Sequence, residues 1–400
     1  MKKGWEYKKL GDCFISINNG ANIKQVKGAK GIPITRIETL SNDKFNRERM
    51  GYADIFDASP YSSYILNDGD ILMSHINSMK YLGRAVQYSK IEEETIIHGM
   101  NLLRLVPTKD VLSSFLIYQF YTAYFRNQIV SISHQSVNQA SFNTTNLKSL
   151  KLKIPPITEQ QSIVDYLDSA FAKIDAMKAN AEKVLNEAKA LFQASLKEML
   201  EPKEGWEEKA LKDLGQTQTG TTPSKSDKSN YGDYIEFIRP SEIDYDGNGR
   251  IDYNCEIKLS EQGASKGRVF ASNSILMVCI GATIGKVGFS TKKVSCNQQI
   301  NVLTPKNDLN YKFVYYAMRS PSFQHRVIKE GTSSQATLPI INKGKWEQLS
   351  ICFPEIKEQE VIATHLDNLS SKVSDLKENY NKISQECDAL KQAILRQVFE

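Results

Sequence analysis

Residues 154–168 read IPPITEQQSIVDYLD, and residues 353–367 read FPEIKEQEVIATHLD. Each block places proline ahead of a Glu-Gln pair and then opens a run whose apolar residues recur in alternating steps of four and three, the signature of a helix with a packing seam. In the first run the seam positions are Ile163, Leu167, Ala170, Ile174, Met177, Ala181, Val184, Ala188 and Leu191. In the second they are Ile362, Leu366, Leu369, Val373, Leu376, Tyr380, Ile383, Cys387, Leu390 and Ile394, each 199 after its counterpart as far as Leu390. Two helices of about 40 residues would each be about 60 Å long, too long to persist with an apolar stripe in water. The simplest partner of either stripe is the other, with small Ala170, Ala181 and Ala188 facing bulkier Leu369, Tyr380 and Leu390. A pseudo-two-fold relation between the copies makes that packing antiparallel. The competing arrangement lays each helix on its own domain.

Outward from these blocks the whole chain repeats. Gly4-Trp5-Glu6, Lys8, Leu10 and Asp12 return as Gly205-Trp206-Glu207, Lys209, Leu211 and Asp213, Asp70-Ile71-Leu72-Met73 as Ser274-Ile275-Leu276-Met277, and Pro107 as Pro305. A repeat of this length is a duplicated domain, since solenoid units run from roughly 20 to 50 residues. Ahead of each long helix the period is mostly two. Gly31 to Ile37 and Tyr234 to Arg239 read as strands, and helical segments follow Pro107 (Phe115 to Ile129) and Pro305 (Tyr311 to Ile328). Tyr118, Tyr121, Phe125, Tyr315, Tyr316 and Phe323 keep helical spacing, which predicts core. The expected architecture is α+β, with two tandem mixed α/β domains (1–154 and 204–353) separated by long helices (155–203 and 354–400) paired as an antiparallel coiled coil.

Composition bounds the function. With 40% hydrophobic and 24% charged residues the 400-residue chain can bury two cores. No apolar run approaches the roughly 20 residues of a membrane span, and Met1-Lys2-Lys3 leads into no apolar signal core, so the cytoplasm is expected and a membrane partner is not. Residues 1–153 hold 20 Lys and Arg against 13 Asp and Glu, and residues 204–353 hold 19 against 16, whereas both helical segments are mildly acidic. Positive charge on the mixed domains suits a phosphate-backbone partner, although a solvated surface would read similarly.

Catalytic motifs fail on inspection. Asp244-Tyr-Asp246-Gly-Asn248-Gly249 resembles the front of a calcium loop, but its twelfth position is Cys255 and the glutamate follows at Glu256, so a turn fits better. Gly281-Ala-Thr-Ile-Gly285-Lys286 lacks one residue of a phosphate loop and reads as a hairpin. Six cysteines show no Cys-x-x-Cys pair, five histidines no His-x-x-x-His spacing, and Asp246 with Glu256 and Lys258 is too loose for a nuclease. No metal site and no resident cofactor are expected. Loops rich in amides, hydroxyls and bases lie at matching places in the two copies: Asn18 to Lys27 and Thr219 to Lys228, then His134 to Gln139 and Gly331 to Gln335. Such side chains read base edges and hold phosphates.

The doubled proline-led Glu-Gln block, with the openings at Trp5 to Asp12 and Trp206 to Asp213 and Gly220-Thr221-Thr222-Pro223, resembles the specificity subunit of type I restriction-modification systems over essentially the whole chain. The resemblance implies two target-recognition domains that read the halves of a bipartite, asymmetric double-stranded DNA site, separated by helices that set the gap. It further implies methyltransferase subunits, commonly two, docked on the helices, and restriction subunits. S-adenosylmethionine, ATP and Mg would then belong to those partners, and this chain would do no chemistry. Expected DNA contacts are Lys24, Lys27, Arg36, Lys80, Arg84, Gln135, Ser136, Asn138 and Gln139 in the first domain. In the second they are Thr221, Lys225, Lys228, Arg239, Lys286, Ser333, Ser334 and Gln335. The first copy departs from Gly-Thr-Thr-Pro with Gly20-Ala21-Asn22-Ile23. The alternative reading is a two-domain coiled-coil scaffold that joins proteins without touching DNA.

Overall fold

The first and last strands of each half pair with one another and deliver the chain into a long helix. Glu6–Lys9 lies antiparallel to Lys151–Ile154 with Glu6 opposite Ile154, and Glu207–Ala210 lies antiparallel to Ser350–Phe353 with Glu207 opposite Phe353. The computed structural model describes residues 4–41, 43–137, 139–243, 249–332 and 338–400. The chain divides into two compact units, Met1–Lys178 with Ser384–Glu400, and Ala179–Ile383. Unit 1 holds a four-stranded antiparallel sheet in the order Phe14–Asn19, Leu103–Pro107, Ile71–Met73, Ala85–Gln87. Unit 2 repeats it with Gly215–Thr219, Ile300–Pro305, Ile275–Val278 and Val287–Phe289. The duplication therefore extends to strand order.

The Glu-Gln block has a physical role in both copies. The long helix Ile157–Met199 opens with the Glu159 and Gln160 amides bonded to Pro156 O at 2.9 and 3.0 Å. Gln160 is fully buried; its Oε1 accepts from Leu112 N at 2.9 Å, and its Nε2 donates to Asp110 O and Pro155 O. Leu112 is the N-cap of the helix Ser113–Phe120 and has no side chain that could cap it. Buried Gln359, in the helix Ile356–Phe399, repeats the arrangement: it accepts from Asn310 N at 3.0 Å, the N-cap of Tyr311–Arg319, and donates to Pro354 O at 2.8 Å. Two turns later Leu167 and Leu366 are buried, and Asp168 and Asp367 accept from the hydroxyls of Tyr118 and Tyr316. Each long helix is thus locked to the domain that precedes it by an amide, a leucine and a carboxylate.

Both stripes enter domain cores. In unit 1, Val164 and Leu167 share one core with Leu395, Phe399 and Trp5. Lys178 and Asp388 approach to 3.4 Å and Lys391 and Asp175 to 2.6 Å, so the two helix segments of this unit run antiparallel. In unit 2, Leu185, Phe192 and Leu196 join Ile362, Leu366 and Val373 around Phe313 and Trp346. Lys203 and Glu358, 3.8 Å apart, give the same direction. The helices therefore pack on each other and on their domains together, where the sequence offered these as alternatives.

Three of the nine central seam positions are displaced by one residue from the expected ones. Leu167, Ile174 and partly buried Ala181 and Ala188 face inward, but Met177, Val184 and Leu191 are 49–58% exposed, and Lys178, Leu185 and Phe192 take the inward places. Adjacent apolar pairs such as Val184-Leu185 and Leu191-Phe192 satisfy a four-three or a three-four step equally, so spacing alone cannot choose between them. Leu390 is likewise exposed; Lys391 replaces it, its ammonium 5.0 Å from the Phe171 ring centre with Asp175 as partner. On the C-terminal helix Ile362, Leu366 and Val373 are buried, and Leu369, Leu376 and Ile383 partly so, as Ile163 is on the central one.

Two local expectations also change. Gly31 to Ile37 makes only isolated bridges (Gly31 with Ile55, Ile34 with Gly51 and Ile97) before a 3-10 turn at Ile37–Thr39, whereas the second copy forms the strand Tyr231–Ile238. Each single helix expected after Pro107 and Pro305 is two. Thr122 caps Ala123–Ile132 through its hydroxyl, and Pro321 opens Pro321–Thr332. Ile243 and Ile251 pair antiparallel around the calcium-like segment, whose residues Asp244 to Asn248 lie outside the described residues.

Gln359→Leu should destabilise the protein by roughly 2–6 kcal/mol in urea unfolding, since it strands the Asn310 amide and the Pro354 carbonyl at about 1–3 kcal/mol each. Phe192→Ala should cost roughly 3–5 kcal/mol and Leu191→Ala less than about 1 kcal/mol; equal losses would restore the seam inferred from spacing.

Candidate nucleic-acid interface

Loops carried by the conserved sheet order present the basic and amide side chains in both units, and each is anchored at a glycine. A Cβ on Gly20 would lie 2.2 Å from His98 O, and one on Gly220 would lie 2.1 Å from Asn297 O, so only glycine lets these loops cross the neighbouring strand end. Ala21 N then donates to His98 O at 2.8 Å, and Thr221 N to Cys296 O at 2.9 Å. The loops leave the two sheets in the same way although their sequences differ.

In unit 1 the side chains fall into two groups. Lys24 and Lys27 ride on a loop held by Val26 N to Tyr52 O, and Gly51 provides the gap over which Gln25 and Arg36 pass, so this loop and Arg36 meet. Arg36 is paired with Glu38 at 3.4 Å. The second group is built on a small sheet of Ile76–Asn77, Ala140–Ser141 and His134–Gln135, with Asn77 opposite Ala140 and Ala140 opposite Gln135. Its hairpin turn closes from Ser136 N to Gln139 O at 2.7 Å and leaves Gln135, Ser136 and Gln139 exposed. The turn after Asn77 places Lys80 and Arg84 over the Tyr81 ring at 5.3 and 4.6 Å, and Arg84 also meets Asp43 at 3.3 Å. Arg126 fastens this turn by donating to the carbonyls of Met79 and Leu82. Asn138 lies outside the described residues.

In unit 2 the loop from Gly220 is pinned by Tyr231 OH to Pro223 O at 3.0 Å and Asn230 Nδ2 to Ser224 O at 3.1 Å. Thr221 is half-buried, and Thr222 donates to Gln298. Lys225 and Lys228 are exposed and enter no salt bridge among the described residues. Arg239 is engaged by Glu242 at 2.7 Å and Glu256 at 3.4 Å, and Lys286 donates to Ile243 O at 3.4 Å, so both have partners within the unit. Ser333, Ser334 and Gln335 lie outside the described residues. Sequence reading missed the Tyr81 platform and Gln298; Lys80-Tyr81 followed by Arg84 was the available signal for the first.

Burial shapes the ionisable groups in ways that serve structure. Desolvation raises the thiols of Cys13 and Cys255 to about 11 and that of Cys279 to about 12, so they stay protonated. Among the described residues no group of three or more His, Cys, Asp or Glu could hold a metal. No helix among them is long and apolar enough to cross a membrane.

The family model of the type I restriction modification DNA specificity domain matches residues 2–187 and again residues 203–385. The chain belongs to this family. Among specificity-domain relatives, it is 27% identical over 417 residues to a Methanocaldococcus jannaschii protein named for the MjaX type I restriction enzyme specificity subunit, covering 99% of this chain and 92% of that one. A Haemophilus influenzae HindI specificity subunit is 32% identical over 178 residues, 43% of this chain and 38% of the relative. The specificity-domain fold is also that of a chain in a structure of complex assembly and conformational transition of the type I R-M system, with a TM-score of 0.75, 16% identity, and 100% and 98% of the two chains covered. The HsdS subunit from Thermoanaerobacter tengcongensis gives a TM-score of 0.54 at 15% identity, with 100% and 97% covered.

His98 ties the first specificity domain's loop to its sheet, and burial, followed by the Arg104 charge, lowers its imidazole from 6.5 to about 4. A histidine kept neutral by folding contributes stability above its ordinary pKa that is lost as pH falls toward the folded value. Stability should therefore drop by roughly 2 kcal/mol between pH 6.5 and 5. Urea midpoints measured across that range should show a shallower slope in His98→Gln, and an unchanged slope would remove this histidine as the cause.

Proposed function

We propose that this chain is the DNA-reading, non-catalytic subunit of a type I restriction-modification complex, working in the cytoplasm. Unit 1 and unit 2 each read one half of a bipartite, asymmetric double-stranded site. Methyltransferase subunits, commonly two, bind along the long helices and methylate adenine from S-adenosylmethionine, and restriction subunits add ATP- and Mg-dependent cleavage. The observation that carries this reading is the doubled specificity-domain match on two units with the same strand order. In each unit the matching loops lift lysines and amides off that common frame.

The groups divide by task. Exposed Lys24, Lys27, Lys80, Lys225 and Lys228 hold phosphates, which fixes position without reading sequence. Gln135, Ser136 and Gln139 have the donors and acceptors that base edges require, whereas the Thr221 hydroxyl of the second loop is buried and would have to be exposed to take part. Arg36 and Arg239, each paired with a nearby glutamate, brace their loops. A scaffold without DNA contact would leave these lysines no common task.

Lys225→Glu with Lys228→Glu should weaken duplex binding by the complex at least tenfold. It should also flatten the dependence of log affinity on log salt by about 1.8, at roughly 0.9 per phosphate contact. Filter binding at several salt concentrations checks both, and unchanged binding favours the scaffold. Sequencing of modified adenines in host DNA with the gene present and deleted should show a bipartite motif that disappears in the deletant.

A further inference from the structure

Val137 sits at the tip of the unit 1 hairpin and is 98% exposed, more than any other large apolar side chain among the described residues. It occupies a tight turn closed by Ser136 N to Gln139 O, where a β-branched residue is disfavoured, and it touches no core. Its described neighbours His134, Gln135, Ser136 and Gln139 are all exposed and polar, so the valine is an isolated apolar point among hydrogen-bonding groups, unlike the apolar centre of a protein interface.

The hairpin is held firmly at its base. Beyond the ladder to Ile76–Asn77, Phe142 N donates to His75 O at 3.2 Å and the Ser133 hydroxyl contacts Met79 Sδ at 3.9 Å. The segment that carries the hairpin is rich in positive charge, although Arg84 of the adjoining turn is paired with Asp43 at 3.3 Å. Between Asp110 and Glu159 the chain carries no acidic residue, while Arg126, Lys148, Lys151 and Lys153 lie in that stretch. The adjoining turn stacks Lys80 and Arg84 on Tyr81. A two-stranded ribbon fits the major groove of B-DNA, about 12 Å wide, and the apolar feature on its floor is the thymine C5-methyl.

We propose that this hairpin enters the major groove and that the Val137 methyls contact the C5-methyl of one thymine, which fixes that base in the half-site read by unit 1. The inference rests on the DNA-reading function proposed above and adds a residue and a base to it. Gln135 and Gln139 flank the contact and bond neighbouring base edges.

The test uses the complex with its methyltransferase subunits, first to map the modified motif for the wild-type chain, then with Val137→Ala and Val137→Ser. Thymines in each half-site are replaced singly by deoxyuridine, which removes only the methyl. The wild-type complex should lose about fourfold in affinity at one thymine of one half, the worth of one buried methyl. Both variants should bind thymine and uracil there alike, and their mapped motif should become degenerate at that position with the other half unchanged. A variant that keeps the wild-type thymine preference overturns this proposal alone, and so does one that fails to assemble with the methyltransferase subunit. Absence of any gene-dependent motif in the wild type would instead defeat the DNA-reading function from which it starts.

Discussion

A buried primary amide must find partners for two donors and an acceptor, and at Gln160 and Gln359 those partners are backbone groups on either side of a domain boundary. The amide bonds the cap of the domain's own helix and the proline-led segment that starts the long one, so the direction of the long helix is set where it leaves the sheet. An apolar residue of similar volume would fill the space without fixing that direction. The leucine and aspartate two turns later extend the grip, since Leu167 and Leu366 are buried and Asp168 and Asp367 receive tyrosine hydroxyls.

The two copies agree where they must hold the scaffold and differ in the loops proposed above to meet DNA. Strand order, the closing strand pair and the helix lock are the same in both. The loops after Phe14–Asn19 and Gly215–Thr219 share only the anchoring glycine, beyond which Ala21-Asn22-Ile23 stands against Thr221-Thr222-Pro223. Such a division lets side chains at the loop tips change without disturbing the frame, because their backbone hydrogen bonds are made at the loop bases.

Much of this was legible in the sequence because punctuation residues have few physical uses. Proline before Glu-Gln announced each helix start, and the matched Trp-Glu openings announced the duplication, whereas the pairing of the opening strands with the domain ends was not read from the sequence. The errors arose where two arrangements satisfy one pattern. Val184-Leu185 and Leu191-Phe192 allow either seam, and the choice falls to the partner surface, which places Phe192 beside Tyr316 with ring centres 6.3 Å apart. Gly31 to Ile37 has strand-like composition, yet its neighbours at Gly51, Ile55 and Ile97 come from separate loops and support only isolated bridges. Arg36, Arg239 and Lys286 have the right chemistry for phosphate, but their nearest partners are an adjacent glutamate or carbonyl, a matter of distance that composition does not record.

Unit 2 is one continuous stretch, Ala179–Ile383, whereas unit 1 takes its last piece from Ser384–Glu400, which supplies Leu395 and Phe399 to the core around Trp5 and Phe115. A ribosome working from the amino terminus therefore finishes the second module before it has emitted the residues that complete the first. The module made first therefore waits longest with a gap in its interior, exposing the apolar surface around Trp5 and Phe115 until the last residues arrive.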